Sequence, residues 1–308
     1  MATVVKATIC GQTYTLVYNS ATGNYEAEIT APSDSSYQNN SGHYFPVSIS
    51  ATDEAGNVTT ISDTEGNFKE NLKLYVKEQV KPTITDISPS DSATITTSSP
   101  TIEFTVLDNS NGQTTGFSGI NPDSIVLTVG GASVSAASIG KTPVTGGYKC
   151  TYTPSAAIAD GVCAITIKAS DYDGNTSDVV SVAFTIDTTP PVLDVTSPVD
   201  GSFTNDEKFM VTGKTSDEHS SQVVVTIEVN GVSQGTVEVS ADGSFSKEVT
   251  LVEGLNTIVV ASTDKVGKTS SVTRTITLKT APLAFKTVTI SPNPVNCGKT
   301  YTISVSFE

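Results

Sequence analysis

Three stretches of the sequence repeat one pattern and decide the fold class: Val47–Asn57 (VSISATDEAGN), Ile165–Asn175 (ITIKASDYDGN) and Ile258–Lys268 (IVVASTDKVGK). In each stretch apolar and polar residues alternate, and an Asp-x-x-Gly tetrad follows that ends in Asn or Lys. Alternation with a period of two predicts a strand with one buried face, and the glycine tetrad predicts a turn into a returning strand. The repeated pattern therefore predicts an all-β chain.

A second signal precedes each copy, where a glycine leads into an alternating run that begins with an aromatic residue, near Gly23, Gly147 and Gly243. The dipeptide Asn230-Gly231 lies between two further alternating runs, which predicts a two-residue hairpin. The repeats recur at roughly 90–120 residues, a length typical of β-sandwich modules, whereas solenoid repeats run about 20–50 residues. The chain is therefore predicted to hold tandem β-sandwiches.

Proline-marked joints divide the chain at Lys81-Pro82, at Asp187–Pro191 and at Ala281-Pro282. Each follows a completed strand, and proline makes such joints short and stiff because it fixes the backbone angle φ. We predict domains over residues 1–80, 81–187 and 188–280, and a truncated β-hairpin segment over 281–308.

The charge balance argues against two classes of partner. Among 308 residues, 32 are acidic and 17 are basic, which gives a net charge of −15. Such a charge opposes non-specific binding to nucleic acid and to anionic membranes. No segment approaches the ~20 apolar residues of a membrane span, and Met1–Lys6 lacks the pattern of a secretory signal. We therefore expect that the protein neither binds nucleic acid nor inserts into a membrane. We also expect that it leaves its cell without a secretory signal, or that its signal has already been removed.

The Asp-x-x-Gly-Asn closures, the Asp187–Pro191 joint and the stretch from Asp242 to Asn256 resemble bacterial and phage immunoglobulin-like repeat domains. The resemblance covers residues 1–280 and implies tandem immunoglobulin-like β-sandwiches. An N-terminal unit without a signal sequence, together with the ending Ser291–Pro294 (SPNP), looks most like proteins encoded near phage tail genes. This resemblance implies a non-enzymatic virion protein that decorates a tail or baseplate, with weak adhesion to host-surface glycans. The alternatives are an extracellular bacterial adhesin or stalk fragment and an accessory binding region of a secreted glycosidase.

The recurring aspartates Asp53, Asp171 and Asp264 have two interpretations. As turn caps they accept hydrogen bonds from turn N–H groups, and this interpretation is favoured because Asp is a preferred turn residue. Calcium would need ~6–8 oxygen ligands, and no dense Asp/Asn run supplies them. Asp171 with Asp173 is the best local pair for calcium, yet we predict no metal site and little effect of a chelator on melting.

The cysteines and histidines offer no catalytic arrangement. Cys150 and Cys163 lie on successive strands with core-facing parity, which leaves both a cross-sheet disulfide and two buried free thiols open. The four cysteines are too scattered for a zinc site. The two histidines stand alone, and no serine or cysteine has the context of a nucleophile. We predict that the protein is not an enzyme and needs no cofactor.

Two surface contacts are predicted. Tyr37 is the aromatic residue best placed to stack on a host-surface glycan. The C-terminal run alternates so that four apolar residues share one face, which we predict to bind a neighbouring copy of the chain or another virion or assembly protein: Tyr301, Ile303, Val305 and Phe307. Folding of this segment back onto the third domain is the rival arrangement.

Overall fold

The computed structural model describes residues 3–38, 42–64, 66–109, 115–219 and 222–308. These residues form 25 β-strands and three short 3-10 helices, at Lys69–Leu72, Pro122–Ser124 and Ala136–Ser138, and none of them lies in an α-helix. The prediction of an all-β chain is confirmed. Within the described ranges, no helix has the length and apolar character needed to cross a bilayer.

The chain divides into two compact units, residues 1–186 and 187–308. The division falls within one residue of the predicted joint at Asp187. The first unit holds the first two predicted domains, and the second unit holds the third domain and the C-terminal hairpin.

The first domain is built on one sheet rather than on the sandwich expected. Its strand order is β3-β2-β1-β4-β5, with β6 paired to β4, and its described strands form no second sheet. The central strands alternate as predicted, with Val5 and Ala7 of β1 buried. The strands are β1 (Val4–Ile9), β2 (Gln12–Asn19), β3 (Asn24–Glu26), β4 (Phe45–Thr52), β5 (Val58–Ser62) and β6 (Lys73–Leu74).

The second domain is an immunoglobulin-like sandwich of two sheets. Its strands are β7 (Thr83–Ser88), β8 (Thr94–Ile95), β9 (Ile102–Leu107), β10 (Val126–Val129), β11 (Ala132–Ser133), β12 (Gly140–Val144), β13 (Gly147–Tyr152), β14 (Gly161–Lys168) and β15 (Val180–Ile186). One sheet has the order β12-β13-β9-β7 and the other β11-β10-β14-β15-β8. The inward side chains of both sheets meet in one core, in which Phe104 and Phe184 are fully buried.

The third domain repeats this architecture in the second unit. Its strands are β16 (Val192–Ser197), β17 (Ser202–Thr204), β18 (Lys208–Ser216), β19 (Val224–Val229), β20 (Val232–Val237), β21 (Ser244–Thr250), β22 (Gly254–Thr263) and β23 (Thr269–Leu278). The sheets have the orders β16-β18-β21 and β17-β23-β22-β19-β20. Asn230 (φ 52°) and Gly231 (φ 78°) form the predicted tight turn between β19 and β20, since both adopt the left-handed backbone that this hairpin needs.

The C-terminal segment is a two-stranded hairpin of β24 (Phe285–Ser291) and β25 (Thr302–Phe307). Its register places apolar residues opposite one another, as in the pairs Val288–Val305 and Ile290–Ile303, and leaves the other face to Ser and Thr. Every residue of both strands is exposed. The hairpin therefore does not fold back onto the third domain, and its apolar face is open.

The core cysteines of the second domain are free thiols. Cys150 lies opposite Phe104 in one sheet and Cys163 lies opposite Phe184 in the other, so the predicted parity and the placement in opposite sheets are both found. Burial raises the pKa of the Cys150 thiol to about 11, which makes it unreactive. Both cysteines serve as small apolar core residues.

Candidate functional site

The three recurring aspartates each close the turn after a long strand, as the turn-cap interpretation predicts. Oδ1 of Asp53 accepts from the backbone N–H groups of Ala55 and Asn57 at 2.9 and 2.8 Å. The same oxygen of Asp171 accepts from Asn175 N–H at 2.8 Å. In Asp264, Oδ1 caps its turn in the same way and leaves Oδ2 free of this task.

Two of these turns differ from the first because their aspartate is buried and two further acids join it. We define the first acidic cluster as Glu78, Asp108 and Asp171, and the second acidic cluster as Asp187, Asp217 and Asp264. In each cluster, one carboxylate oxygen from every member lies within 4.8 Å of the others. Asp53, by contrast, is exposed and belongs to no such group among the described residues.

The two clusters occupy the same three places in the fold. One acid precedes the first strand of its domain: Glu78 before β7 and Asp187 before β16. A second follows an inner strand of the smaller sheet: Asp108 after β9 and Asp217 after β18. The third is the turn aspartate after β14 or β22. The strand ends that carry these acids therefore converge at the same end of each sandwich.

The sequence carried a signal for the four acids that the sequence analysis missed. Glu78 and Asp187 each lie ten residues before the serine of a Ser-Pro pair, Ser88 or Ser197. Asp108 and Asp217 each lie twenty residues after that serine. The same two separations thus occur in both domains. They do not follow from the pattern of any one strand, and they are detected only when the two domains are aligned on their Ser-Pro pairs.

Asn175 binds the first acidic cluster together. Its Nδ2 donates to Asp171 Oδ2 and to Glu78 Oε1, both at 2.8 Å, and to the Glu78 carbonyl at 3.1 Å. Asp108 accepts through Oδ2 from Gly119 N–H at 2.6 Å. Its other oxygen, Oδ1, is buried without a hydrogen-bond partner, in a residue only 1% exposed.

Burial raises the proton affinity of two members of the first cluster. The pKa of Glu78 rises to about 7, chiefly because its carboxylate is desolvated and also because it lies beside Asp171. The pKa of Asp108 rises to about 6, again chiefly through desolvation. Close carboxylates in a water-poor site disfavour their own ionisation, so near neutral pH the site attracts a proton or a cation.

Asp173, predicted to act with Asp171, lies outside the first cluster and holds the joint between the first and second domains. Its Oδ2 accepts from the backbone N–H of Glu78 at 3.0 Å, and its carbonyl accepts from Lys77 Nζ at 3.1 Å. Of the predicted calcium pair, only Asp171 therefore lies with other acids.

The second acidic cluster lacks the amide that binds the first, since Lys268 stands where Asn175 stands in the second domain. Asp217 accepts through Oδ1 from His219 N–H at 2.8 Å. Oδ2 of Asp264 is buried without a hydrogen-bond partner, and the residue is 5% exposed. In each cluster, therefore, at least one buried carboxylate oxygen makes no hydrogen bond.

The role predicted for Tyr37 requires correction. Its ring stacks on His43 at 3.9 Å and on Tyr172 at 4.2 Å between centroids, with interplanar angles of 11° and 10°. With both faces covered, the ring offers no platform for a sugar. Tyr37 instead packs the first domain against the second.

A family model described as "Glucodextranase, domain B" matches residues 191–280, which is the third domain. Bacillopeptidase F of Bacillus subtilis (strain 168) is 36% identical over 103 residues. That alignment covers 33% of this chain and 7% of the relative. The likeness therefore concerns one domain's length of a much larger protein.

Solved structures with a similar fold include two adhesins and one set of fibronectin(III)-like modules. A tetra-tandem repeat from the extending region of a large adhesion protein is 20% identical, covering 99% of this chain and 80% of that one (TM-score 0.33). A 1.5-MDa bacterial ice-binding adhesin is 19% identical, covering 90% and 87% (TM-score 0.33). The Clostridium thermocellum CbhA modules are 18% identical, covering 64% and 94% (TM-score 0.35). At these values the likeness carries no functional information.

Replacing Asn175 tests the role of its amide in the first cluster. The variant Asn175→Ala leaves oxygens of Glu78 and Asp171 without their donor, so we expect unfolding of the first unit to become easier by about 1–3 kcal/mol. The measurement is denaturant unfolding in the presence of a chelator. The matched control is Asn57→Ala, because within the described part of the chain Asn57 Nδ2 donates to the exposed Asp53. Equal losses in the two variants would contradict the assignment.

Proposed function

We propose that the chain is a non-enzymatic spacer of an extracytoplasmic assembly, in which tandem immunoglobulin-like domains hold a neighbouring functional element at a distance. The observation that carries this proposal is the joint between the first and second domains. A spacer needs resistance to bending at its joints, and resistance requires contacts on both sides of the connecting segment.

Three kinds of contact hold this joint: hydrogen bonds, an ion pair and an aromatic stack. The first domain reaches the second through Ser35 N–H, which donates to the Gly116 carbonyl, and through Gln38 Nε2, which donates to the Ser118 carbonyl, both at 2.8 Å. The connecting segment is fixed to the second domain through Glu78 and through the Lys81–Asp178 ion pair at 2.8 Å. The stack of Tyr37 on Tyr172 adds an aromatic contact across the joint.

The finer form of the proposal places the spacer on a virion tail or baseplate, as the resemblance to proteins encoded near phage tail genes implies. In a cell-surface adhesin stalk the chain would have the same spacer role, on a bacterial cell instead of a virion. A second candidate function is that of an accessory region within a larger enzyme. The observation favouring it is the match of the third domain to a domain named for glucodextranase, together with the partial match to Bacillopeptidase F.

Catalysis by the chain itself is tested by turnover. We expect purified protein to hydrolyse no glycoside, peptide or ester substrate, because no nucleophile–base pair was recognised in the sequence. The measurement is a chromogenic and mass-spectrometric substrate screen. Turnover that a single Asp or His replacement abolishes would overturn the non-enzymatic role.

The place of the spacer is tested by immuno-electron microscopy with antibodies raised against the purified chain. We expect label on the outside of phage particles or of intact cells of the source, and label on phage tails specifically for the finer form. Label restricted to the cell interior, with particles and cell surfaces bare, would contradict the spacer role.

The C-terminal hairpin is the proposed attachment element of this spacer. Tyr301, Ile303, Val305 and Phe307 are 44–57% exposed, and an isolated hairpin is at best marginally stable in water. Its strands pair antiparallel, as β7 pairs with β9 and as β16 pairs with β18, and those strand pairs pack the equivalent face against an opposite sheet. The apolar face of the C-terminal hairpin therefore needs an immunoglobulin-like sheet to pack against.

A second copy of the chain offers such a sheet in its first domain. The strand order β2-β1-β4-β5 there matches β20-β19-β22-β23, the sheet that faces β16 and β18 in the third domain. The first domain also carries an apolar groove of about 490 Å³, and the residues that line it include Ile9, Tyr14, Ile29 and Leu74. We propose that the hairpin of one copy docks on the first domain of the next.

Sedimentation of the full chain tests this attachment. We expect mass to rise with concentration, and the double variant Ile303→Asp/Val305→Asp to remain monomeric because charge replaces its apolar face. Ser304→Asp, on the opposite face, is the matched control and should still associate. Deleting residues 285–308 should abolish association without changing thermal unfolding of the three domains.

A mixing experiment identifies the surface that receives the hairpin. Ile29→Asp alters the groove but keeps the hairpin, so it should fail to self-associate yet form a complex with the double hairpin variant, which keeps the groove. A wild-type chain that is monomeric at all concentrations, or mixed variants that remain separate, would show that the hairpin docks elsewhere.

A further inference from the structure

We propose that the two acidic clusters are calcium sites, one at the equivalent end of the second and of the third domain. This goes beyond the spacer role, because it assigns a ligand that the spacer role does not require. The ligands of the first site are Glu78, Asp108 and Asp171, and those of the second are Asp187, Asp217 and Asp264.

The spacing of the oxygens suits a single ion. Oxygens bound to one Ca²⁺ lie 2.3–2.6 Å from it, so two of them are never more than about 5 Å apart. In both clusters the three carboxylate oxygens lie within 4.8 Å of one another. They are delivered by three chain segments that meet at the end of the sandwich, so the fold itself brings the ligands together.

An unpartnered buried oxygen in each cluster is the independent sign of a missing ligand. Asp108 Oδ1 in the first cluster and Asp264 Oδ2 in the second make no hydrogen bond, although both residues are more than nine-tenths buried. A buried carboxylate oxygen without a partner is strongly unfavourable, and native structures almost always satisfy such groups. A cation in each cluster would give each of these two oxygens a partner.

The donor set selects the kind of cation. All the grouped ligands are carboxylates, with no thiolate or imidazole among them, which suits a hard cation rather than zinc or copper. Mg²⁺ keeps several of its waters and is usually held by one or two carboxylates, whereas Ca²⁺ accepts several carboxylates together with carbonyl oxygens. Three carboxylates from separate segments, two of them buried and one half-buried, therefore favour Ca²⁺.

The first domain supplies an internal comparison. Its turn has the same Asp-x-x-Gly-Asn sequence, but Asp53 is exposed, both its oxygens accept hydrogen bonds, and no second acid is grouped with it in the described residues. An aspartate can therefore cap this turn without the two further acids that accompany it in each cluster. Their recurrence at the same two places in both sandwiches points to a function added to the cap.

Bound calcium would fasten the joint of the first unit. Glu78 belongs to the segment that connects the first and second domains, whereas Asp108 and Asp171 belong to the second domain. An ion bound by all three carboxylates would link the connecting segment to the second domain through metal coordination. This replaces the expectation, drawn from the sequence, that the aspartates only cap turns and that a chelator has little effect.

Calorimetric titration of the full, chelator-treated chain with CaCl₂ tests the proposal. We expect two ions per wild-type chain. Asp108→Asn and Asp217→Asn should each retain one ion, and the double variant should retain none. Asp53→Asn is the matched control and should still bind two. Calcium at about 100 times its dissociation constant should raise the Tm of the wild type by roughly 5–10 °C.

Melting without calcium separates ligand loss from misfolding. Asp108→Asn removes a buried, uncompensated charge, so its metal-free Tm should equal or exceed that of the wild type while its response to calcium falls. If Asp108 instead stabilises the fold without binding a metal, the metal-free Tm of Asp108→Asn should be lower than that of the wild type. The proposal is overturned if the wild type shows neither binding heat nor a Tm shift, or if Asp108→Asn still binds two ions.

Discussion

The second and third domains depend on one constraint: each strand must present alternate side chains to a dry core enclosed between two sheets. In β14 the inward positions are Cys163, Ile165 and Ile167, all buried, and the outward positions are exposed or half-buried. Apolar burial is worth roughly 25 cal/mol per Å², which makes the closed sandwich favourable and fixes the register, since a one-residue slip would expose every inward side chain.

The same constraint explains why acids gather at the strand ends. Beyond the end of a strand the inward positions face the end of the sandwich, and Asp171 and Asp264 lie at such positions. Their caps satisfy the turn N–H groups, but the carboxylates remain largely out of water. In the first cluster burial, and after it the neighbouring acids, make ionisation harder, which is visible in the raised pKa values of Glu78 and Asp108. The end of the second domain that holds the first acidic cluster is thus its electrostatically strained part.

The first domain and the hairpin show what happens when a sheet has no second sheet packed against it. The sheet of the first domain has few fully buried apolar residues, among them Val5, Ala7 and Phe45, whereas each sandwich has a large contiguous core. The hairpin has none, and its apolar face is open. Apolar surface left in water favours association, which is the physical basis of the docking proposed between these two elements.

The sequence by itself determined the strands, the turns and the joint at Asp187, because these follow from local alternation, glycine tetrads and prolines. It also determined that Asp53, Asp171 and Asp264 are equivalent, and that Cys150 and Cys163 face the core. The tertiary structure alone decided which of those aspartates gains acidic neighbours, because Glu78, Asp108 and Asp171 are far apart in the chain and meet only when two sheets pack. It likewise decided that Tyr37 is covered, since Tyr172 lies in another domain and no local pattern records that contact. Period-two patterns report one strand's environment, whereas sites at strand ends depend on which strands become neighbours.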